Sequence, residues 1–534
     1  MGRLIVVSNR VAPTQEGRPA AGGLAVGVLD ALKETGGVWF GWSGETVSEP
    51  TEPVIEQQGS VTYATVGLTR RDYDQYYKGF SNTTLWPTFH YRNDLARYER
   101  QEYGGYLRVN VTLARQLKPL IQPDDIIWVH DYHLIPFARC LRDLGVKNPI
   151  GFFLHIPLPV PEVMRSVPPH EELMKFMCHY DVVGFQTDAD RQAFLDYIER
   201  GGHGTASDDG MVHAWDRFLK VGTYPIGIYP DVIAKSAAQF TDRKPVRSLR
   251  DAMRGRKLIM SVDRLDYSKG LAERFQAFER MLQNGPGWHG RVSLLQIAPP
   301  TRSDVQTYQT IRRNLEGEAG RINGRFAQLD WTPIQYLNRK YERNLLMALF
   351  RQAQVGYVAP LRDGMNLVAK EYVASQNPDD PGVLVLSQFA GAAEQLPGAL
   401  VVNPYDLNQT AEALERALSM PHAERQSRYE DMMASMRENN LSVWRDTFLA
   451  DLRSVATAAS VTATAKARSA APVAPVASIA PVSPLSPVSP AATIKAVTKP
   501  AQAAQADAPA KAAVKAAPPV ASASASVVGK AKAQ

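Results

Sequence analysis

Two carboxylates flank a predicted helix start in the segment DGMNLVAKE, which runs from Asp363 to Glu371. Asp363 lies in a glycine-containing loop, and the helix is predicted to begin at Asn366. Free N–H groups at a helix start and the positive end of the helix dipole attract anions. The two carboxylates lie roughly 10 Å apart if most intervening residues rise as in a helix. The pattern predicts a nucleotide-sugar donor site, although a glycine before an ordinary surface helix fits it equally well.

Cations follow two predicted strands in the second half of the chain. Arg264 and Lys269, in RLDYSKG, come directly after a strand ending at Val262, and Arg302 follows the next strand. Cations at the carboxyl ends of parallel strands suit a diphosphate, whose charge grows as it leaves a sugar. A local ion pair between Arg264 and Asp266, with Lys269 capping a helix, is the alternative interpretation.

Polar side chains also end the predicted strands of the first half. Arg10 follows the first strand, Asp131 ends the strand in WVHDYH, and His155 ends the strand in FFLHIP. Asp131 could accept a hydrogen bond from a sugar hydroxyl, whereas His155 alone could equally be structural. His130, Asp131 and His133 supply too few ligands on one side of an extended segment for a metal, so no metal is expected.

Gly22-Gly23 could let the backbone approach a phosphate, but a turn is the simpler explanation. The fuller G-x-G-x-x-G pattern is absent, which disfavours a nicotinamide cofactor. Tyr77 and Trp86 belong to an aromatic-rich stretch that could form core or line a carbohydrate site.

The chain has 534 residues, of which 45% are hydrophobic, and is long enough for two folded domains or more. No apolar run reaches the length of a membrane span, so no membrane partner is expected. Cys140 and Cys178 both lie in apolar, helix-like surroundings. Free thiols are more consistent with this setting than a disulfide or a metal site, and they favour a cytoplasmic location.

Positive charge is concentrated in residues 455–534, where eight cations stand against Asp507. This excess accounts for the whole net charge of +6, so the rest of the chain is close to neutral and no nucleic-acid partner is expected. The segment is rich in Ala, Pro, Ser and Lys, and we expect it to be a disordered tail.

Strand-like and helix-like segments alternate upstream of the tail. The predicted strands are 3–8, 126–129, 150–154, 182–185, 257–262, 292–297, 355–358 and 383–386. Helices are predicted near 24–32, 134–144 and 191–199, and closing helices over 426–455. This alternation predicts an α/β fold with two doubly wound domains. The polar, poorly periodic segment 239–250 is interpreted as the hinge between them.

The domain division that follows is 1–240 for an acceptor-binding domain and 241–435 for a nucleotide-sugar-binding domain. Residues 436–454 are predicted to form a closing helix that packs back on the first domain, followed by the tail 455–534. A ligand is expected in the cleft between the domains, at the carboxyl ends of the strands.

Together these motifs resemble the trehalose-6-phosphate synthase family. The resemblance covers about residues 3–452 in order and excludes the tail. The segments that carry it are SNR, GGL, WFGWSG, LWPTFHY, WVHDYHL, FFLHIPLP, GFQT, VDRLDYSKG, AGRINGRF, LRDGMNLVAKEY and VLSQFAGAA.

The resemblance implies a retaining glucosyltransferase with a GT-B-type fold, in which two Rossmann-like domains face each other across a cleft. Such an enzyme transfers glucose from UDP-glucose to glucose 6-phosphate and forms α,α-trehalose 6-phosphate and UDP. It implies no metal or organic cofactor and a homodimer or homotetramer. The implied mechanism is a same-face substitution, in which the acceptor hydroxyl attacks beside the departing diphosphate.

Residue roles are implied by position in the matched motifs. For the acceptor these are Arg10, Tyr77 and Arg302 at the phosphate, Asp131 at the sugar and Trp86 at the pocket wall. At the donor diphosphate they are Gly23, Arg264, Lys269 and the helix residues Leu367, Val368, Ala369 and Lys370. Asp363 and His155 are implied at the donor glucose, Glu371 at the ribose and Tyr341 at the base. Arg264, Lys269, Asp131, His155 and Asp363 form the implied catalytic group. Tyr341 stands where the family commonly has Phe, which leaves the preferred nucleotide open.

Three other functions remain open from the sequence. A related transferase could use a different phosphorylated acceptor, such as glycerol phosphate. A non-catalytic sensor of sugar nucleotides could share the fold. A phosphorylase would need a lysine site for pyridoxal phosphate, and none is identifiable.

Overall fold

A computed structural model describes residues 2–11, 28–29, 32–33, 36–302 and 305–469, with side chains up to residue 455. One compact unit spans Met1–Ala470. Gly23, the start of the helix predicted near residues 24–32 and most of the predicted tail lie outside the described residues. Residues 28–29 and 32–33 are helical, in agreement with that prediction.

The first sheet has ten strands in the order β3-β4-β2-β1-β5-β6-β7-β10-β9-β8. Its strands are β1 Leu4–Arg10, β2 Gly37–Val47, β3 Val54–Gln58, β4 Val61–Thr69, β5 Ile126–His130, β6 Ile150–Phe153, β7 Val182–Phe185, β8 Gly204–Ala206, β9 Met211–Ala214 and β10 Arg217–Thr223. The neighbouring strands β4-β2-β1-β5-β6-β7-β10 are parallel to one another. Antiparallel β3 extends one edge of the sheet, and antiparallel β9 with β8 extends the other. The central strands are buried on both faces, which explains their continuous apolar sequence.

The second sheet has six parallel strands in the order β13-β12-β11-β14-β15-β16. They are β11 Lys257–Val262, β12 Val292–Ile297, β13 Ile334–Leu337, β14 Val355–Val358, β15 Val383–Ser387 and β16 Leu400–Val402. This is the strand order of the Rossmann fold, in which ligands bind where the order reverses, here between β11 and β14. The predicted doubly wound α/β fold class is confirmed.

Helices cover both sheets. The longer α-helices are Arg100–Leu117, Phe137–Asp143, His170–Met177, Asp188–Arg200, Pro230–Gln239, Lys244–Met253, Leu271–Asn284, Gln306–Phe326, Arg343–Phe350, Leu367–Ser375, Leu407–Ser419, His422–Glu438 and Leu441–Ser469. Short helical turns are Arg70–Asp72, Trp86–Phe89, Asn93–Leu95, Lys118–Leu120, Tyr132–Leu134, Pro161–Met164, Tyr267–Lys269, Pro286–Trp288 and Gly391–Glu394.

A wide, π-type helix at Tyr73–Leu85 carries the aromatic stretch singled out in the sequence. It bends at Gly79, whose ψ of −105° is not helical. A Cβ at Gly79 would lie 2.6 Å from the Glu102 carboxyl carbon, so the glycine lets this helix pack closely on helix Arg100–Leu117. The packing sets the positions of Tyr77 and Trp86.

The last helix packs its side chains against the first sheet. Phe448 stacks on Trp128 with ring centroids 4.9 Å apart, and a Cβ at Gly151 would lie 2.7 Å from its ring. Asp451 of the same helix accepts hydrogen bonds from Lys220 at 2.6 Å and from the Tyr224 hydroxyl at 2.7 Å. The closing helices predicted over 426–455 are confirmed as elements. The domain boundaries drawn from the sequence remain a prediction.

The segment 239–250 is not the irregular hinge that its sequence suggested. Helix Pro230–Gln239 runs into it, and helix Lys244–Met253 occupies most of it. Proline stands at the start of each helix, where its missing N–H costs nothing. Val246 and Met253 of the second helix are buried and Leu249 is half-buried, so the sequence does carry an apolar stripe at helical spacing, which was overlooked among the charged residues.

Candidate functional site

The loop after β11 places two cations and a carboxylate at the carboxyl end of the second sheet. Asp266 opens a tight turn, because its Oδ1 accepts hydrogen bonds from the N–H and hydroxyl of Ser268 at 3.0 and 2.9 Å. Arg264 is exposed and has no ion pair or hydrogen bond with the described side chains and backbone. Its guanidinium lies 5.5 Å from the ring centre of Trp86. The alternative Arg264–Asp266 ion pair is therefore not observed.

Asp266 instead binds groups from several elements. It is fully buried and pairs with Arg302 at 3.2 Å. The Tyr308 hydroxyl donates to Asp266 at 3.0 Å, and Nε1 of Trp86 donates to it at 3.4 Å. Burial alone would raise the pKa of Asp266, but the nearby cations, led by Arg302, hold it at about 2. The sequence suggested only Arg264 as a partner for Asp266, so the link between Asp266 and the acceptor residues was missed.

Arg302 lies at the centre of this cluster. Its guanidinium is 4.1 Å from the ring centre of Trp86 and donates to the hydroxyls of Tyr308 at 2.5 Å and Tyr132 at 3.3 Å. Only 6% of the Arg302 side chain is exposed. Its backbone φ of 48° is a conformation that side chains seldom adopt. Arg302, Trp86 and Tyr132 thus join residues from both sheets into one cluster, in which two predicted acceptor residues are in contact.

Lys269 and Asp363 form the second ion pair of the site. Nζ of Lys269 donates to Oδ2 of Asp363 at 2.5 Å, and Nδ2 of Asn366 donates to the same oxygen at 3.0 Å. Burial would raise the pKa of Asp363, but the charge and hydrogen bond of Lys269 lower it below the ordinary value. Lys269 does not cap a helix, and the predicted donor residues Lys269 and Asp363 are brought together.

The predicted helix start after Asp363 is confirmed. Asn366 has φ 74°, and its Oδ1 accepts the N–H of Ala369 at 3.1 Å, which caps helix Leu367–Ser375. Leu367 and Val368 are half-buried at the first turn, and Ala369 is fully buried. The N–H groups of this first turn are those that an anion would meet.

Lys370 points away from that first turn. Its Nζ donates to the carbonyl of Ile226 at 2.7 Å and to Gln395. Burial lowers the pKa of this ammonium to about 7. Any contact between Lys370 and an anion at the helix start would therefore involve its backbone.

The residues predicted at the nucleoside end have their own partners. Arg343 donates to Oε1 of Glu371 through Nε at 2.9 Å and Nη2 at 2.6 Å. The Tyr341 hydroxyl accepts a hydrogen bond from Nε of Arg339 at 2.5 Å, and the Arg339 guanidinium lies 4.9 Å from the Tyr341 ring centre. Arg343 was missed in the sequence, because no local spacing connects it to Glu371.

Asp131 follows β5 in a strained backbone conformation, with φ 78° and ψ 164°. Its Oδ1 accepts the backbone N–H of His155 at 3.2 Å. Burial raises the pKa of Asp131 to about 6, against the opposing hydrogen bonds and the charges of Arg264 and Arg302. Strain and a displaced pKa at a strand end are typical of functional sites.

His155 lies where the two sheets approach each other. A Cβ at Gly364 would lie 2.2 Å from the carbonyl oxygen of His155, so only glycine permits this approach. The loop that carries Asp363 is thereby held against the end of β6. This contact brings predicted donor residues of both sheets to one place.

Arg10 and Tyr77 lie at the same edge of the first sheet. Arg10 is exposed at the end of β1, next to β5, and its guanidinium lies 5.9 Å from the ring centre of Trp42. Tyr77 also contacts the Trp42 ring at 5.5 Å and stacks on His133, with centroids 5.8 Å apart and planes at 13°. The aromatic rings of Trp42, Tyr77 and His133 therefore form one surface beside the exposed Arg10.

Three further observations apply to the described residues alone. They contain no group of three or more His, Cys, Asp or Glu side chains arranged to hold a metal ion. None of their helices combines the length and the hydropathy needed to cross a bilayer. Cys140 and Cys178 are free thiols.

Two Rossmann-like sheets, one wholly parallel and one parallel except at its edges, carry cations, carboxylates and a helix start at their facing carboxyl ends, and this arrangement defines a GT-B-type glycosyltransferase. The chain belongs to glycosyltransferase family 20, whose family model matches residues 3–454. The family and the GT-B-type fold predicted from the sequence are confirmed.

Solved structures similar to this chain include a UDP-forming α,α-trehalose-phosphate synthase from Burkholderia xenovorans. It is 84% identical with a TM-score of 0.83, covering 85% of this chain and 100% of that one. A second synthase from the same species, in complex with glucose-6-phosphate, is 62% identical with a TM-score of 0.82 over 85% and 100%. An Escherichia coli structure bound with UDP-2-fluoro glucose is 53% identical with a TM-score of 0.81 over 84% and 99%.

Proposed function

We propose that the chain is an α,α-trehalose-phosphate synthase that transfers glucose from UDP-glucose to glucose 6-phosphate with retention of configuration. The observation that carries this proposal is the cluster of Arg264, Arg302 and Trp86, in which one ring contacts a predicted donor cation and a predicted acceptor cation. The similar synthase in complex with glucose-6-phosphate and the similar structure with a UDP-glucose analogue support both substrates.

Donor binding is assigned to the second sheet. Arg264 and Lys269 would neutralise the diphosphate, together with the N–H groups of Leu367 and Val368. Arg264 suits this role because it is exposed and unpaired among the described groups, whereas Lys269 is already held in place by Asp363. Glu371 would accept hydrogen bonds from the ribose while two hydrogen bonds from Arg343 hold its carboxylate in place.

Acceptor binding is assigned to the facing edge of the first sheet. Arg10, Tyr77 and Arg302 would hold the phosphate, and Asp131 would accept a hydrogen bond from a hydroxyl of the acceptor sugar. The acceptor hydroxyl then attacks the anomeric carbon on the face that the diphosphate leaves, and a phosphate oxygen of the leaving group takes its proton. Arg264 and Lys269 stabilise the charge that develops on that group.

The test is release of UDP from UDP-glucose with and without glucose 6-phosphate, followed by NMR of the sugar product. The proposal predicts release that depends on the acceptor and an α,α-linked disaccharide phosphate. Release with glycerol phosphate but not with glucose 6-phosphate would favour another acceptor. Binding of both substrates without any turnover would favour a sensor.

Cellular setting and assembly are further parts of the proposal. The two free thiols suit a reducing compartment, which favours the cytoplasm. Trehalose biosynthesis connects the reaction to osmoprotection and the stress response. A homodimer or homotetramer is expected, and sedimentation of the full chain measures it.

A further inference from the structure

The rings of His130 and His155 contact each other at the ends of two neighbouring parallel strands. His130 is the last residue of β5, and His155 follows β6. Nδ1 of His130 lies 3.0 Å from Nε2 of His155. A direct hydrogen bond between the two imidazoles follows from this distance.

Both imidazoles are neutral at physiological pH. Burial lowers the pKa of His155 to about 3 and lowers that of His130 well below the ordinary value. A neutral imidazole has one N–H and one lone pair. One ring must therefore donate its single N–H to the other, which fixes the tautomers of both rings together.

The surroundings of His130 indicate which ring donates. His130 is fully buried, with the Trp128 ring centre at 4.5 Å and the Trp444 ring centre at 6.3 Å. Its Nε2 is buried and has no hydrogen-bond partner among the described residues. An unpaired buried N–H is rarer in proteins than an acceptor left unpaired. The N–H of His130 therefore belongs on Nδ1, and Nε2 keeps its lone pair.

The N–H of His130 on Nδ1 determines which ring nitrogen of His155 carries a proton. The lone pair of its Nε2 accepts the hydrogen bond from Nδ1–H of His130, so the N–H of His155 lies on Nδ1. No described residue makes a hydrogen bond with that Nδ1, and the ring is half-buried. Asp131 also holds the backbone N–H of His155 at 3.2 Å. The last residue of β5 and the residue after it thus fix the ring and the main chain of His155.

We infer that His130 is a positioning residue that locks His155 as its Nδ1–H tautomer, which offers an N–H donor to the transferred sugar. The inference deepens the proposed function and rests on it for the identity of the ligand. His130 has no contact with substrate in this assignment and acts through His155 alone. The rings of Trp128, Phe153 and Trp444 pack around the two imidazoles and hold them in hydrogen-bonding contact.

The first test needs no variant and no turnover. The full chain with ¹⁵N-labelled histidine gives imidazole ¹⁵N shifts that distinguish a protonated from an unprotonated nitrogen. His155→Phe assigns the signals of His155 by their disappearance. The inference predicts Nδ1–H for both rings at neutral pH. A His155 signal with its proton on Nε2 would overturn it, whether or not the chain makes a disaccharide phosphate.

The second test separates positioning from packing. His130→Asn keeps an amide N–H near the place of Nδ1, whereas His130→Phe keeps an aromatic ring and removes the donor. We expect kcat/KM for UDP-glucose to fall about tenfold in His130→Phe, as for one lost hydrogen bond, and to be largely retained in His130→Asn. His213→Phe, at an exposed position on β9, is the control for ring replacement.

A double-mutant cycle completes the test. In a His155→Phe background, His130→Phe should cause no further loss of kcat/KM, because the residue it positions is already gone. Equal losses in both backgrounds would show that His130 only supports packing. If the parent chain and the His155→Phe variant both fail to turn over UDP-glucose, the proposed reaction is wrong. The ¹⁵N shifts of His155 then still decide whether His130 locks it as the Nδ1–H tautomer.

Discussion

Arg302 and Asp266 form a buried ion pair, with Nη1 of Arg302 3.2 Å from Oδ2 of Asp266. The pair joins the loop after β12 to the loop after β11. Because Asp266 also receives hydrogen bonds from Trp86 and Tyr308, the pair fixes the guanidinium against the Trp86 ring. A cation held in this way is preorganised for a phosphate, and it need not lose side-chain freedom when it binds one.

Replacing Arg302 by Ala is expected to change stability and acceptor affinity together. The KM for glucose 6-phosphate should rise strongly while kcat changes less, because the acceptor phosphate lies away from the bond that forms. The free energy of unfolding should fall by about 3 kcal/mol, since Asp266 becomes a buried charge without its partner. Steady-state kinetics and urea unfolding measure the two effects.

The double variant Arg302→Ala with Asp266→Asn separates the effects. Removing the unpaired carboxylate should restore part of the stability without restoring acceptor affinity. An unchanged KM for glucose 6-phosphate in either variant would contradict the acceptor role of Arg302.

Arg264→Ala is expected to lower kcat for transfer by about 10²- to 10³-fold, the effect of removing one donor from a developing negative charge. Arg264 is exposed and its removal breaks no ion pair with a described group, so stability should stay close to that of the parent chain. The measurement is UDP release at saturating concentrations of both substrates. Arg280→Ala, at an exposed position on helix Leu271–Asn284, is the matched control. Near-normal turnover in Arg264→Ala would rule out its role at the diphosphate.

The sequence predicted much of the fold because the central strands are buried on both faces and read as unbroken apolar runs. Predicted strands 182–185, 257–262, 292–297 and 355–358 agree with the structure in both bounds. The amphipathic helix at Lys244–Met253 was taken for a hinge, because it buries few residues. Val246, Leu249 and Met253 have helical spacing, but the many charged residues around them led to the interpretation as a polar linker.

Individual site residues could be selected from the sequence, but their partners could not. Cations after strands and the capped helix at Asn366 have local signatures, and the structure places them together. The pairing of Lys269 with Asp363 spans 94 positions, and that of Arg302 with Asp266 spans 36. Only the parallel strand order brings these loops to one edge, and the alternative local pair of Arg264 and Asp266 is replaced by the distant pair of Arg302 and Asp266.

Glu371→Gln is expected to weaken UDP binding by about 10- to 100-fold, as for the loss of a hydrogen bond to a charged group. The amide keeps the shape of the side chain, but it no longer pairs with Arg343 at 2.6 Å. Calorimetric titration with UDP measures the effect, and Glu412→Gln at an exposed position is the control. Weakening of glucose 6-phosphate binding to the same degree would indicate a general disturbance of the fold rather than a contact with the ribose.

Asp131→Asn is expected to make the protein more stable at neutral pH and less active. The pKa of Asp131 is about 6 in the folded chain, above its ordinary value of 3.8. Because the folded-state pKa is raised, the contribution of the Asp131 carboxyl to the free energy of unfolding is fully present below pH 3.8 and is lost as the pH rises through 6. Asparagine cannot ionise, and it still accepts the N–H of His155 through its carbonyl oxygen.

The stability difference between Asp131→Asn and the parent chain should therefore grow between about pH 4 and pH 7, to about 3 kcal/mol in favour of the variant. Urea unfolding at a series of pH values measures it, and Asp196→Asn on helix Asp188–Arg200 is the control. At the same time, kcat/KM for glucose 6-phosphate should fall at pH 7, because a neutral amide is a weaker acceptor for a sugar hydroxyl than a carboxylate. A variant that is less stable than the parent at pH 7 would show that ionised Asp131 stabilises the site.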